Sequence, residues 1–143
     1  MGHLKALLNG KVKIAPLPLI KSPSKNVMKG PKRLFLEKGE LSEIYDSSEP
    51  IRHIAYIEFL SGKPRGGHYH TRSEFFYIIR GEIILKVVDV ATGVAAETKA
   101  KEGDLIFLQP KIAHALKSIG AGHVIEFSRK RFNPKDTIKY QDI

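Results

Sequence analysis

Residues 62–81 read GKPRGGHYHTRSEFFYIIRG, and this stretch decides the fold. Its His68 and His70 are separated by one residue, so in an extended segment both imidazoles lie on the same face. Glu74 follows His70 at an even spacing, and a strand that continues or resumes there brings a carboxylate to that side. Imidazoles and carboxylates are ligands of borderline divalent metals. The stretch therefore offers three candidate ligands, although a His-x-His pair alone is more often a surface or packed pair.

A second segment supplies the ligand that such a site lacks. Residues 103–114 read GDLIFLQPKIAH, in which a turn, an apolar strand and a proline precede His114. This order of elements can return one imidazole to the same cavity from a different strand. A shared site of the two segments and a packed histidine pair both remain open on the spacing alone.

The body of the chain consists of short β-type runs separated by turn residues, which is typical of sandwiches and barrels. No stretch has a sustained helical period. Gly81-Glu82 is interpreted as a tight turn, and Gly120 and Gly122 as part of a connection. The expected strands span residues 33–37, 51–60, 75–79, 83–90, 94–100, 105–108, 113–118 and 123–128.

The two histidine segments resemble the two motifs of the cupin family. The first cupin motif is Gly, five residues, His-x-His, three or four residues, Glu, six residues and Gly, which matches Gly62, His68, His70, Glu74 and Gly81. The second is a Gly-Asp turn, an apolar run, Pro-x-Gly, two residues and His. It matches Gly103, Asp104 and His114, with Gln109 where a proline is common and Lys111 where the glycine usually lies. These departures concern the local turn geometry, and the resemblance covers about residues 51–128.

The resemblance implies an all-β protein whose fold is a double-stranded β-helix, that is, a jelly-roll cupin barrel. We expect the barrel in residues 34–130, an extended basic N-terminal arm in residues 1–33 and a C-terminal tail in residues 131–143. The arm is expected because Pro16, Pro18, Pro23 and Pro31 oppose helices and central strands. Within it, Val12 to Ile14 is a candidate edge strand.

The resemblance also implies a site at the mouth of the barrel. Its metal ligands would be His68, His70, Glu74 and His114, holding a divalent transition metal such as Fe, Mn, Ni or Zn. This donor set leaves positions of a six-coordinate ion open to water or substrate. His68 and His70 are also the candidate catalytic residues, since imidazole titrates near neutrality.

Candidate substrate-binding residues follow from strand parity and from charge. Phe76 and Ile78 share the parity of Glu74 and should face the interior, while residues 75, 77 and 79 face outward or toward a covering layer. Plain core packing is the alternative for both side chains. Arg65 and Arg72, with Lys63, flank the histidines and could hold a phosphate. The alternative is a solvated rim.

Three functions remain open at this point. The first is a metal-binding small-molecule enzyme acting on an anionic or carbohydrate-type metabolite. The second is a metal-free isomerase or epimerase using the histidines as acid and base, since Arg65-Gly66-Gly67-His68 resembles the Arg-Gly-x-His-x-His arrangement of RmlC-like sugar-nucleotide cupins. The third is a ligand-binding or sensory cupin without catalysis.

The composition of the chain limits which other classes of protein are possible. The chain has 143 residues, which is enough for one domain, and it has no cysteine, so disulfides and thiolate sites are excluded. The net charge of +9 belongs to the termini: the first 36 residues carry eight Lys or Arg and no acid. Nucleic-acid binding is therefore not favoured, because no recognition motif accompanies the charge. We expect a soluble cytoplasmic protein with no membrane association, a small-molecule ligand and a homodimer.

Overall fold

The computed structural model describes residues 3–21 and 29–143 of the chain. These residues form β-strands and one 3₁₀ turn at Pro134–Asp136, and no α-helix occurs among them. The strands are β1 (Lys5–Leu7), β2 (Val12–Pro16), β3 (Leu19–Lys21), β4 (Lys32–Leu36), β5 (Gly39–Glu43), β6 (His53–Phe59), β7 (Arg65–Tyr69), β8 (Glu74–Asp89), β9 (Ala95–Lys101), β10 (Asp104–Leu108), β11 (Ile112–Ser128) and β12 (Ile138–Lys139).

Nine of these strands form the main sheet, in the order β1-β2-β10-β8-β11-β7-β12, with β9 paired to β8 and β6 paired to β11. All the pairings in this sheet are antiparallel. A separate sheet of three strands has the order β3-β4-β5. The all-β, jelly-roll architecture predicted from the sequence is confirmed.

The two longest strands, β8 and β11, differ from the strands predicted from the sequence. Gly81 was expected to reverse the chain, but β8 runs through it without a break. Gly81 has φ +101°, and a Cβ at this position would lie 2.7 Å from the carbonyl oxygen of Ala121. The register of β8 with β11 shifts between Ile119 and His123, opposite this glycine. The glycine therefore bends two paired strands together, because its missing Cβ allows close approach of the backbones.

The core has two layers, as the parity of β8 predicts. Phe76 and Ile78 belong to the larger apolar cluster inside the barrel. Phe75 and Tyr77, on the opposite face, pack with Leu17 and other side chains in a second cluster that covers the sheet. The expected alternation of β8 is confirmed.

The N-terminal segment is not confirmed as an extended arm. β2 is hydrogen-bonded between β1 and β10, and its Val12 and Ile14 are almost fully buried in the core of the barrel. The expected strand at residues 12–14 exists, but it lies inside the sheet and not at its edge. Apolar side chains at alternate positions of β2 explain this placement. Pro23, which contributed to the prediction of an arm, lies outside the described residues.

Basic residues near the N-terminus are also less solvated than a free arm would be. Lys11 contacts Asp89 at 2.6 Å, and Arg33 contacts Glu40 at 2.6 Å and Glu102 at 3.6 Å. The buried Lys32 contacts Glu43 at 2.7 Å in the small sheet. These pairs fix part of the basic charge to the body of the protein.

The homodimer predicted from the sequence stays a prediction, and the fold offers a surface for it. β6 pairs with β11 on one side, and no other strand of the described residues pairs with it. Ile54, Tyr56 and Leu60 expose more than half of their surface on or beside this strand. An open strand edge with exposed apolar side chains is a common place for two copies to associate. No helix in the described part of the chain is long and apolar enough to cross a membrane.

Candidate functional site

Three histidines meet where β7 pairs with the start of β11. His68 on β7 and His114 on β11 are direct cross-strand partners, and His70 follows the end of β7. The ring centroids are 4.7 Å apart for His68 and His70 and 5.0 Å apart for His68 and His114. One ring nitrogen of each histidine lies within 4.8 Å of the others. The structure thus brings together the three imidazoles that the sequence analysis assigned to one site.

Backbone carbonyl groups fix the orientation of two of these rings. The carbonyl oxygen of Asp136 lies 2.6 Å from Nδ1 of His70, and that of Ile112 lies 3.0 Å from Nδ1 of His114. Because a carbonyl can only accept, Nδ1 carries the proton and donates it in each case. Both rings therefore present the lone pair of Nε2 to the interior, which is the arrangement found in metal-ligating histidines.

Glu74 lies between these two Nε2 atoms. Its carboxyl oxygens are 3.2 Å from Nε2 of His70 and 3.4 Å from Nε2 of His114, and the side chain is almost fully buried. Burial, followed by a hydrogen bond with the carboxyl of Glu126, raises the pKa of Glu74 to about 9, against a lowering by Arg72. A protonated Glu74 can donate to one of the imidazoles that face it. Alternatively, a cation between these groups would replace that proton.

The histidines are neutral for a related reason. Burial lowers the pKa of His68 and of His70, and it lowers the pKa of His114 to about 3. Removing a cationic imidazole from water costs free energy, so these rings remain uncharged at neutral pH. Neutral imidazoles are the form that binds metal ions. The donors therefore fit a divalent transition metal, with Glu74 as the group that must lose a proton first.

The turn before His114 keeps its shape despite the substitution at Lys111. Lys111 has φ +62°, the left-handed conformation that glycine adopts most readily. Its backbone N–H donates to the carbonyl oxygen of His70 at 2.7 Å. The departure from the cupin motif therefore carries local backbone strain, and His114 still lies opposite His68.

A cavity of about 170 Å³ adjoins these groups. Phe76 forms an apolar wall with its ring 5.9 Å from the ring of His114, and Arg65 lies at the rim as the first residue of β7. Ile78, the other apolar candidate, is fully buried in the core and does not line the cavity. Arg72 does not line it either. Its buried guanidinium contacts Glu74 at 3.5 Å and Asp136 at 3.3 Å from the other side.

Two site residues escaped the sequence analysis. Glu126 lines the cavity. Period-two alternation is the sequence pattern that could have predicted this, because Glu126 shares a face of β11 with the buried Val124. Asp136 supports His70 through a backbone carbonyl, which no side-chain pattern reveals. Its carboxylate accepts hydrogen bonds from the backbone N–H of Thr71 at 2.8 Å and from its hydroxyl at 2.7 Å. The C-terminal segment is thereby fastened to the loop that carries His70.

Fold and site together define a small jelly-roll barrel that holds an imidazole cluster and a buried carboxyl group. The chain belongs to the cupin family: the model described as "Cupin domain" matches residues 55–127. This range includes all four predicted ligands. It also includes the unpredicted Glu126.

One curated relative of the chain is a dioxygenase. The chain is 30% identical over 94 residues to 3-hydroxyanthranilate 3,4-dioxygenase of Xanthomonas euvesicatoria pv. vesicatoria (strain 85-10), in a match that covers 63% of the chain and 52% of that enzyme. The chain thus spans about half the length of this curated relative.

Solved structures with the same fold are RmlC-like. The dTDP-6-deoxy-D-glucose-3,5-epimerase of Legionella pneumophila Philadelphia 1 has a TM-score of 0.72 and 13% identity, covering 96% of this chain and 76% of that one. The TDP-fucose-3,4-ketoisomerase of Campylobacter jejuni has a TM-score of 0.67 and 16% identity, covering 89% of this chain and 87% of that one. At such identities the likeness concerns the fold.

Proposed function

We propose that the protein is a metal-dependent cupin enzyme acting on a small anionic metabolite. The observation that carries the proposal is the fixed tautomer of His70 and His114, whose Nδ1–H groups donate to backbone carbonyls while their Nε2 atoms face Glu74. A relative that is a dioxygenase supports the same class.

Each part of the site has a role in this proposal. His68, His70, Glu74 and His114 would hold a divalent transition metal, which supplies Lewis-acid chemistry to a substrate oxygen when bound. Arg65 at the rim would bind the anionic group of the substrate, since guanidinium pairs well with carboxylate and phosphate. Phe76 would exclude water from one wall. Glu126 would line the cavity beside the metal-bound carboxylate of Glu74.

Metal content is the direct test. Protein purified without chelator, or reconstituted with Fe, Mn, Ni or Zn in turn, is expected to retain about one ion per chain by elemental analysis. Removal of the ion with a chelator should lower the melting temperature, because an ion bound only to the folded state stabilises it. A chain that retains none of the four metals after reconstitution would contradict the proposal.

Proton release gives a sharper prediction. At pH 7 Glu74 is protonated, because its pKa is about 9, while the histidines, whose pKa values are lowered, are neutral. Ligation therefore displaces about one proton per ion at pH 7, and metal affinity rises with pH until the pH passes the pKa of Glu74. Calorimetric titration in buffers of different ionisation enthalpy measures this proton. Glu74→Gln should abolish the release, and a wild-type protein that releases none would show that Glu74 is not a ligand.

A second candidate is a sugar-nucleotide isomerase or epimerase that uses His68 and His70 without a metal. The observation in its favour is Arg65, which is exposed, begins β7 and lies at the cavity rim, its guanidinium 5.7 Å from the Phe59 ring. The RmlC-like solved structures include enzymes of this class.

The two candidates differ in whether a TDP-sugar binds to the protein without a metal. For the isomerase, a TDP-sugar should raise the melting temperature of metal-free protein, and Arg65→Ala should reduce that shift by most of its size, since a charge-assisted contact is lost. Arg52→Ala, which removes an exposed arginine outside the cavity, is the matched control. A TDP-sugar without effect on metal-free wild type would leave the metal enzyme as the only candidate of the two.

A further inference from the structure

We propose that a second pocket binds the phosphate group of a small ligand. This pocket lies on the opposite side of His70 from the cavity that adjoins the histidines. This basic pocket has a volume of about 400 Å³. Four of its lining residues are cationic and one is acidic: Arg72, Lys130, Arg131, Lys135 and Asp136. The proposal does not depend on the proposed metal enzyme, since no metal ligand lines this pocket.

The one acid of the pocket is already used. The carboxylate of Asp136 accepts two hydrogen bonds from Thr71 and one from Arg72. By contrast, Lys130, Arg131 and Lys135 form no ion pair among residues 3–21 and 29–143. Three unneutralised cations around one concave surface attract an anion. They favour a multivalent anion over a monovalent carboxylate, because the interaction energy grows with the product of the charges.

The pocket is built by specific contacts and is not a loose basic tail. The side chain of Asn133 accepts a hydrogen bond from the backbone N–H of Lys135 at 3.0 Å and so shapes the turn that carries this lysine. Asp136 then fastens the turn to Thr71. Residues 138 and 139 continue as β12 along β7. The backbone of the turn that carries Lys135 is therefore fixed beside Arg72 before a ligand arrives, which reduces the entropy cost of binding.

Arg72 is the buried floor of the pocket. Its side chain is 3% exposed, and its Nε is the one buried side-chain nitrogen or oxygen without a hydrogen-bond partner among the described residues. A buried donor without an acceptor costs free energy, and Nε of Arg72 is such a donor. An anion bound in the pocket would offset that cost if one of its oxygens accepted from Nε. The phosphate group fits this combination of buried guanidinium and surrounding lysines.

Binding is tested on the full-length chain with inorganic phosphate, with a nucleoside monophosphate and with acetate, by calorimetry or ³¹P resonance. We expect the nucleoside monophosphate to bind, either alone or together with inorganic phosphate. Acetate should bind much more weakly. Binding of the nucleotide alone would identify a phosphorylated metabolite as the source of the group, and comparable binding of inorganic phosphate would identify the free ion.

Variants localise the binding. Lys130→Ala combined with Lys135→Ala should weaken phosphate binding at least about tenfold, because two charge-assisted contacts are lost. Lys38→Ala combined with Lys117→Ala removes the same charge from exposed positions outside the pocket and should leave binding unchanged. His114→Ala should leave it unchanged as well, which separates this site from the metal cavity.

Three results would overturn the proposal. The first is that wild-type protein binds neither phosphate probe at millimolar concentration, the second that the Lys130/Lys135 variant binds as tightly as the wild type, and the third that acetate binds as tightly as phosphate. Because all the substituted lysines are exposed, the variants should fold, and an unchanged melting temperature checks this directly.

Discussion

Replacing His114 with alanine is expected to abolish stable metal binding. His114 is 2% exposed, its Nδ1–H donates to Ile112, and its Nε2 lies 3.4 Å from Glu74. Loss of a residue that merely orients a ligand costs roughly 10–100-fold in metal affinity, so loss of the ligand itself should cost more than about 100-fold. Competition with a chromogenic chelator measures the affinity.

A matched control lies on the same strand. His123 is a half-buried histidine of β11 whose ring stacks on Tyr56, with centroids 6.0 Å apart and no other histidine beside it. His123→Ala should therefore keep full metal affinity. Since His114→Ala also leaves a cavity in the barrel, His68→Ala serves as the second variant: it removes a half-buried ligand with less effect on packing. Equal loss of metal in the His123 variant, or full retention in both ligand variants, would contradict the assigned site.

Gly66→Ala is expected to destabilise the protein by about 3 kcal/mol or more and to disrupt the site. Gly66 has φ +103°, and a Cβ there would lie 2.4 Å from the carbonyl oxygen of His114 and 3.0 Å from the Cα of Ala115. These are backbone atoms, so no side-chain rotation relieves the clash. β7 would have to move away from β11 at the point where His68 and His114 are paired. Metal affinity should fall with stability, since two ligands are separated.

The adjacent Gly67 provides the control. It also has a positive φ, of +77°, but a Cβ at this position meets nothing within 4 Å. Gly67→Ala should therefore pay only the conformational cost of about 1–2 kcal/mol and keep its metal affinity. Denaturant unfolding of the two metal-free variants gives the comparison. Similar losses of stability for both glycines would show that the contact between β7 and β11 is looser than the structure indicates.

Particular residues show which features of the site can be predicted from local sequence patterns. Strand parity places His68, His70 and Glu74 on one face, and the resemblance to both cupin motifs predicts that they share one site with His114. Parity also placed Phe76 in the cavity wall and Phe75 in a covering layer. It did not separate Phe76 from Ile78, which is buried deeper in the core. Depth along a strand depends on what packs against it.

Breaks between elements were harder to predict. Gly81 was expected to end a strand, and it bends one instead, because the backbone of Ala121 and Gly122 comes close to it from the paired strand. In the same way, prolines near the N-terminus indicated an arm, although Val12 and Ile14 insert into the main sheet beside β10. β2 pairs with a strand that lies about 90 residues away in the sequence. Local sequence patterns therefore give only a weak indication of where β2 lies in the sheet.

By itself, the sequence determined the class of fold, the four candidate ligands and the face of β8 that surrounds them, because these depend on spacing and on period-two alternation. Only the tertiary structure decided the protonation and orientation of those ligands. Burial keeps the imidazoles neutral and, together with the carboxyl of Glu126, raises the pKa of Glu74, and the carbonyl of Asp136 orients His70. Such effects require groups from distant parts of the chain to meet in a space that excludes water, and no local pattern encodes that meeting.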